Sequence, residues 1–333
     1  MLKPTLFATC LLLIAGACAS APSTNESLTV YSGRSEELIG PLIADFEAQS
    51  GIEVSVRYGD SAELAATILE EGGRSPASLF LAQDPASLGS VALADLFEPL
   101  PADLLDQVPA KFSDTIGRWI GISGRARTVV YDPSSISPAD LPDTEDGLIE
   151  SAWAGSVGIA PTNGSFLAFV AAKILIDGEA TTRAWLEGMK ANEAPTFPSN
   201  STIVSAVADG QIDAGLANHY YALQLLARDP TAPVTNYFFP EASAGSLVMP
   251  SGAGILASAD APESARKLIT FLLSAKAQEY FAMETFEYPL VPGVPPSEDL
   301  PPLDTIPTPD IDLSDLAPML DLATDLVAEA GLL

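Results

Sequence analysis

The sequence predicts an α/β protein of two lobes that close on a ligand, and three observations predict it. Strand and helix patterns alternate along residues 28–95, and a second series of the same kind begins near residue 156. Two apolar segments, 119–131 and 246–258, are each long enough to run from one lobe to the other. Two chain passages between α/β lobes make a hinge, and a hinge makes a cleft.

Each element follows from its residues. Leu28-Thr-Val-Tyr31 reads as a strand, and Glu36 to Ser50 carries Leu38, Leu42 and Phe46 at helical spacing before Gly51 stops it. Ile52 to Tyr58 alternates as a strand does, and Asp60-Ser-Ala-Glu63 is a capping-box pattern opening a helix to Glu71. Ala77 to Ala82 is a third strand, and Gln83-Asp84-Pro85 leads into a helix to Asp95. This order implies parallel strands with right-handed crossovers. In the second series Ser156 to Ala160 is a strand, Pro161-Thr-Asn-Gly-Ser165 a polar turn, and Phe166 to Ile176 a helix closed by Gly178. Asn200 or Ser201 caps a helix to Asp209 that ends at Gly210. Asp213 to Ala217 is a short strand, Asn218 an N-cap, and Ala222 to Ala227 a short helix stopped by Asp229-Pro230. The Pro-rich stretch Pro289 to Pro309 leads to an amphipathic helix over about 313–330. The predicted division is 28–125 with 247–300 in the first lobe, 126–246 in the second, and 301–333 as a C-terminal segment.

Composition narrows the classes. The chain of 333 residues has 44 acidic against 15 basic side chains, a formal charge of −29, which argues against nucleic acid or anionic lipid bound by charge. Met1-Leu-Lys3, the apolar stretch from Leu6 to Ala17 and the small residues before Cys18 read as a lipoprotein signal over 1–17. Cys18 is then the lipidation site of an extracytoplasmic protein, 18–27 a tether, and ordinary cleavage after Ala19 or Ala21 the alternative. Cys10 and Cys18 are the two cysteines, so the folded body has no disulfide, thiolate site or Cys nucleophile. No Gly-x-Ser-x-Gly elbow, Walker loop or His-Glu-x-x-His motif is present, and the expectation is a binding protein rather than an enzyme.

The polar turns share a position: each follows the carboxyl end of a strand and opens a helix, where open α/β sheets bind ligands. Arg34 and Ser35, Gln83 and Asp84, Asn163 to Ser165, Asn200 and Asn218 are the predicted lining, with Arg34 as its fixed positive charge. Tyr220 and Tyr221 sit where a strand turns into a helix, which lets two adjacent phenols converge rather than face opposite ways. His219 beside them reads as a solvent-facing or capping residue, and Tyr31 as a buried strand tyrosine.

These turns carry a resemblance. Val30-Tyr-Ser-Gly-Arg34, Ser75-Pro-Ala77, the run from Ser123 to Asp132, Pro161 to Phe166, Asn218-His-Tyr-Tyr221 and Glu287-Tyr-Pro-Leu290 resemble the ferric-ion-binding proteins of bacterial ABC importers. Those proteins have the type II periplasmic-binding-protein fold, and the likeness runs in one order from about Leu28 to the C-terminus. It implies Fe³⁺ held as cargo by Tyr220 and Tyr221 with a synergistic carbonate or phosphate. It places the anion on Asn163, Gly164 and Ser165, helped by Asn200 and Asn218. Together with the lipid tether read from the N-terminus, the expectation is a monomer that delivers iron to a membrane permease and its ATPase. Three positions depart: Ser35 stands where some members have a ligating His, Gln83 where those have a Glu, and Phe166 where another branch has a third tyrosine.

Hard Fe³⁺ favours anionic oxygen, which suits a site without thiols or a His cluster. Ionising a phenol of pKa about 10 at pH 7 costs about 4 kcal/mol, so only a strong cation makes the tyrosines phenolates. The competing expectation is a phosphorylated or phosphonate small molecule in the same cleft, with the tyrosines as its walls.

Overall fold

The computed structural model describes residues 27–333; the predicted signal segment, Cys10, Cys18 and the predicted tether up to residue 26 lie outside them. The first series folds as its pattern requires. Strand β1 (Ser27–Ser32), helix α1 (Glu36–Ser50), β2 (Glu53–Tyr58), α2 (Ser61–Glu71) and β3 (Leu79–Ala82) place β1 in parallel between β2 and β3. Gly51 ends α1 at φ 71°, a conformation easy only for glycine, and the Asp60 carboxylate caps α2 by accepting from the N–H groups of Ala62 and Glu63. Asp84 caps α3 (Pro85–Leu93), and a single turn, α4 (Ala102–Leu105), follows.

Strand β4 (Ile120–Tyr131) is the spine of the molecule, and all twelve of its residues are buried. Beyond it come β5 (Val157–Gly158), α5 (Gly164–Asp177), α6 (Glu179–Ala191), α7 (Asn200–Ala208), β6 (Ala214–Asn218), α8 (Tyr220–Arg228) and β7 (Thr235–Tyr237). The chain returns through β8 (Val248–Ile255) and ends with α9 (Pro262–Leu272), α10 (Ala275–Met283), β9 (Tyr288–Pro289) and α11 (Leu320–Glu329). From Ile120 to Ala126, β4 pairs with β8; from Arg127 to Tyr131 it pairs with β6. The sheet order is β2-β1-β3-β8-β4-β6-β5, with β7 and β9 also on β4. One strand thus belongs to two half-sheets, and the segments predicted to cross, 119–131 and 246–258, lie side by side as its antiparallel centre.

Apolar burial holds each half. Val30, Ile39, Leu79, Ile255 and Leu268 share one cluster, and Val130, Ile203, Val207 and Ala217 another. Side chains of this size contribute roughly 1.5–3 kcal/mol each on full burial. Inside the second half Lys173 is fully buried, and its ammonium donates to Glu145, Asp146 and Asp177 at 2.9, 2.6 and 2.8 Å. Among the described residues these three acids are the group spaced to hold a metal, and the lysine occupies them.

Several elements differ from expectation for identifiable reasons. Asn218 is the last residue of β6 rather than a cap, and α8 begins at Tyr220 behind His219. The C-terminal helix starts as a 3₁₀ segment, Leu313–Met319, because Pro318 has no N–H to give an α-helical bond. Helices α6, α9 and α10 add to the predicted elements. The 3₁₀ segment packs on α3 and α5, and α11 packs on α5 and α6, so the tail straps elements of both series together behind the sheet. Ser314 Oγ donates to Asp114 Oδ1 at 2.8 Å, and Lys190 Nζ donates to the Gly331 carbonyl at 2.7 Å. At Gly89 of α3 an added Cβ would lie 2.9 Å from the Ala317 Cβ, so the absence of a side chain sets this approach.

Candidate metal centre

The tyrosine pair is built by the β6–α8 turn. Asn218 pairs with Arg127 on β4, and its N–H donates to Asn200 Oδ1 at 3.2 Å, which fixes the end of β6. His219 already has helical backbone angles, so strand alternation ends there and the next two side chains leave on neighbouring bearings. The rings of Tyr220 and Tyr221 lie 4.2 Å apart at 32°. Tyr220 is almost fully buried and Tyr221 half-buried. Burial, then the Tyr221 phenol, push the Tyr220 hydroxyl well above the usual phenol range, while Arg125 pulls it down. Tyr220 is therefore a neutral phenol until a cation arrives.

Two adjoining cavities open beside the pair. One, of about 110 Å³, is bounded by Gly33, Asp60, Ser61, Gln83 and Asp84 from the first series, by Arg125 of β4, and by Asn163, Gly164, Ser165, Asn200, Asn218 and Tyr221 from the second. The other, of about 510 Å³, includes Ser35, Tyr220, Gln224, Glu284 and Phe286. Gln83 and Tyr221 border both.

The structure brings most of the predicted residues together. Asn163 caps α5, accepting from the Ser165 N–H at 3.1 Å and its hydroxyl at 2.6 Å, while Asn200 Nδ2 donates to Asn163 Oδ1 and Ser165 Oγ, both at 3.1 Å. The Gln83 carbonyl oxygen is buried without a protein partner among the described residues. Asp84 binds the Ser87 N–H and hydroxyl; burial raises its pKa, opposed by the Ser87 N–H and by Arg125.

Arg34 is the exception and corrects the expectation of a cleft cation. It is fully buried, and its guanidinium donates to Glu287 Oε1 at 3.0 Å and Oε2 at 2.5 Å. It lines neither cavity beside the tyrosines. Burial alone would raise the Glu287 pKa, yet Arg34 holds the carboxyl below the usual range. The positive charge of the cleft is Arg125 instead, with Arg127 behind it. Arg127 donates to Asn200 Oδ1 at 3.3 Å and to the Ser165 carbonyl. Burial, then Arg125, lower its pKa to about 10. The Nε of each arginine lacks a protein partner among the described residues. The signal for this pair was present in Arg125-Ala-Arg127: alternate residues of a strand share a face, and two guanidiniums on a buried face need an anion or acceptors. Asp60 and Ser61, at the α2 N-terminus, also join the lining without having been predicted.

His219 is neither exposed nor free to ligate. Its ring is fully buried, Nδ1 accepts from the Ala126 N–H at 3.1 Å, and Nε2–H donates to the Phe286 carbonyl at 2.8 Å. Burial pushes its pKa down to about 4 from 6.5. Tyr31, on β1, donates to Glu71 Oε1 at 3.0 Å, as a strand tyrosine away from the pair.

Comparison with known proteins agrees with this architecture. Residues 75–314 match the model of the bacterial extracellular solute-binding protein family. The chain is 33% identical over 318 residues to the Fe(3+)-binding periplasmic protein of Serratia marcescens, covering 95% of this chain and 93% of that one. Iron-bound HitA of Pseudomonas aeruginosa superimposes with a TM-score of 0.86 at 32% identity, covering 92% of this chain and 99% of that one. A Trichodesmium protein in complex with iron and citrate has a TM-score of 0.81 at 28% identity, with the same coverage. The chain thus belongs to the bacterial extracellular solute-binding proteins, in the group that contains the periplasmic ferric-iron-binding proteins.

Proposed function

We propose that the chain captures Fe³⁺ with a synergistic anion in the cleft between its halves and delivers it to an ABC permease and ATPase. The observation that carries this reading is the pair Tyr220 and Tyr221, whose rings lie 4.2 Å apart at a helix start on a cleft shared by both series. As phenolates they supply two hard anionic oxygens, and the cation offsets the cost of ionising them. Carbonate or phosphate would sit on Asn163, Gly164, Ser165, Asn200 and Asn218, with Arg125 taking the role first assigned to Arg34. Gln83, Asp84 and Ser35 complete the wall. The working form is a lipid-anchored monomer on the outer side of a membrane, hinged at β4 and β8 between lobes 28–125 plus 247–300 and 126–246.

The test is a visible absorption titration with chelated Fe³⁺ and either carbonate or phosphate, beside the Tyr220→Phe, Tyr221→Phe variant. The expected result is a phenolate-to-iron band that saturates at one equivalent and is missing in the variant. The two arginine Nε atoms without protein partners favour one other reading, a phosphorylated or phosphonate small molecule. Absence of the band with both anions, together with saturable binding of an organic phosphate, would replace iron by that ligand.

A further inference from the structure

We infer that His219 is a positioning residue, a neutral strut between the hinge strand and the turn behind α10 that aims both phenols at the cargo. The inference rests on the ferric reading of the same cleft. His219 is the chain's single histidine, and every polar atom it has is committed. Its ring nitrogens take the Ala126 N–H and the Phe286 carbonyl, its own N–H donates to the Ala126 carbonyl at 3.0 Å, and its carbonyl accepts from Asn236 Nδ2 at 2.9 Å. One tautomer fits, with the proton on Nε2, because Ala126 N–H can only donate and the Phe286 oxygen can only accept.

The three places it joins are those whose relative position sets the site. Ala126 is the last β4 residue paired with β8, immediately before the strand passes to β6. Phe286 borders the larger cavity with both tyrosines, has φ 59°, and precedes Glu287, which is locked to Arg34. Tyr220 follows His219 directly, and the two rings meet edge-on at 5.8 Å and 87°. The imidazole therefore transmits the position of a rigid turn on one side of the hinge to the first residues of α8 on the other. Neither nitrogen is available to a metal, so its contribution is geometric.

The two bonds can be cut separately. Asparagine can place an acceptor near the Nδ1 position but cannot reach Phe286; glutamine can place a donor near the Nε2 position. In iron-loaded protein the measured quantities are the energy and intensity of the phenolate-to-iron band and the rate of iron transfer to excess competing chelator. His219→Asn is expected to bind one equivalent with a displaced or weakened band and about tenfold faster transfer, the net worth of one buried hydrogen bond. His219→Gln keeps the bond to Phe286 but gives up the one to Ala126, and is expected to displace the band and speed the transfer in the same direction by a smaller amount. A wild-type band and transfer rate in folded His219→Asn would overturn the inference, whatever happens to its melting temperature. If the asparagine variant does not fold, a displaced band in His219→Gln supports it and an unchanged one refutes it. Absence of a band in the unmodified protein fails the ferric reading itself, a separate outcome.

Discussion

The decisive residues are those whose protonation the fold has already set. Each phenol that ligates as phenolate releases a proton, so with two of them apparent iron affinity should drop about a hundredfold for each pH unit of acidification. Chelator competition at pH 6, 7 and 8 reads this directly, and a flat profile would exclude phenolate ligation. His219 gives a second pH effect, on stability without ligand. Its folded pKa of about 4 lies below the ordinary 6.5, so the unfolded chain binds the extra proton between these values. Stability is full above 6.5 and is lost as pH falls toward 4, by roughly 3 kcal/mol. Denaturant titrations across that window should show the slope in the native protein and its loss in His219→Gln. Arg34 and Glu287 form the other fixed pair, both fully buried. Glu287→Ala leaves the guanidinium without its carboxylate and should cost about 3–5 kcal/mol by the same measurement. The first of these effects was readable from the tyrosine pair alone. The other two were not, because nothing local to Arg34 or His219 announces a partner on the turn at Phe286 and Glu287.

Elements were legible where the pattern is local. The Asp60 cap, the Gly51 stop and the alternation of β2 depend on a few neighbouring residues, and each formed as its chemistry requires. Long-range pairing was harder to read. That residues 119–131 and 246–258 lie against each other is a fact of the sheet, visible in the sequence only as two long apolar runs. The arginines of β4 were hidden for a related reason: a charged pair in an apolar strand is ambiguous until the strand's two faces are assigned. The C-terminal strap depends on Gly89, where even a methyl group meets Ala317. Gly89→Val should destabilise the protein by about 1–3 kcal/mol in denaturant unfolding, through overpacking of α3 against the strap. An unchanged midpoint would mean that the tail yields easily.

At the scale of the whole molecule, the residues lining the two cavities come from both series, and neither cavity is enclosed within one half. Small-angle scattering should therefore show a smaller radius of gyration for iron-loaded protein than for the Tyr220→Phe, Tyr221→Phe variant given the same iron and anion. Equal radii would mean that the cleft is already closed without cargo. The interleaved sheet has a further consequence, in time rather than in space. Strand β3 has its edge covered by β8, which begins only at Val248, whereas the half-sheet formed by β4, β5, β6 and β7 needs nothing beyond Tyr237. A chain emerging from its N-terminus thus carries the open edge of Leu79–Ala82 through about half of its synthesis. The part that begins second can finish its sheet first, and the part that begins first stays unfinished until the polypeptide has come back to it.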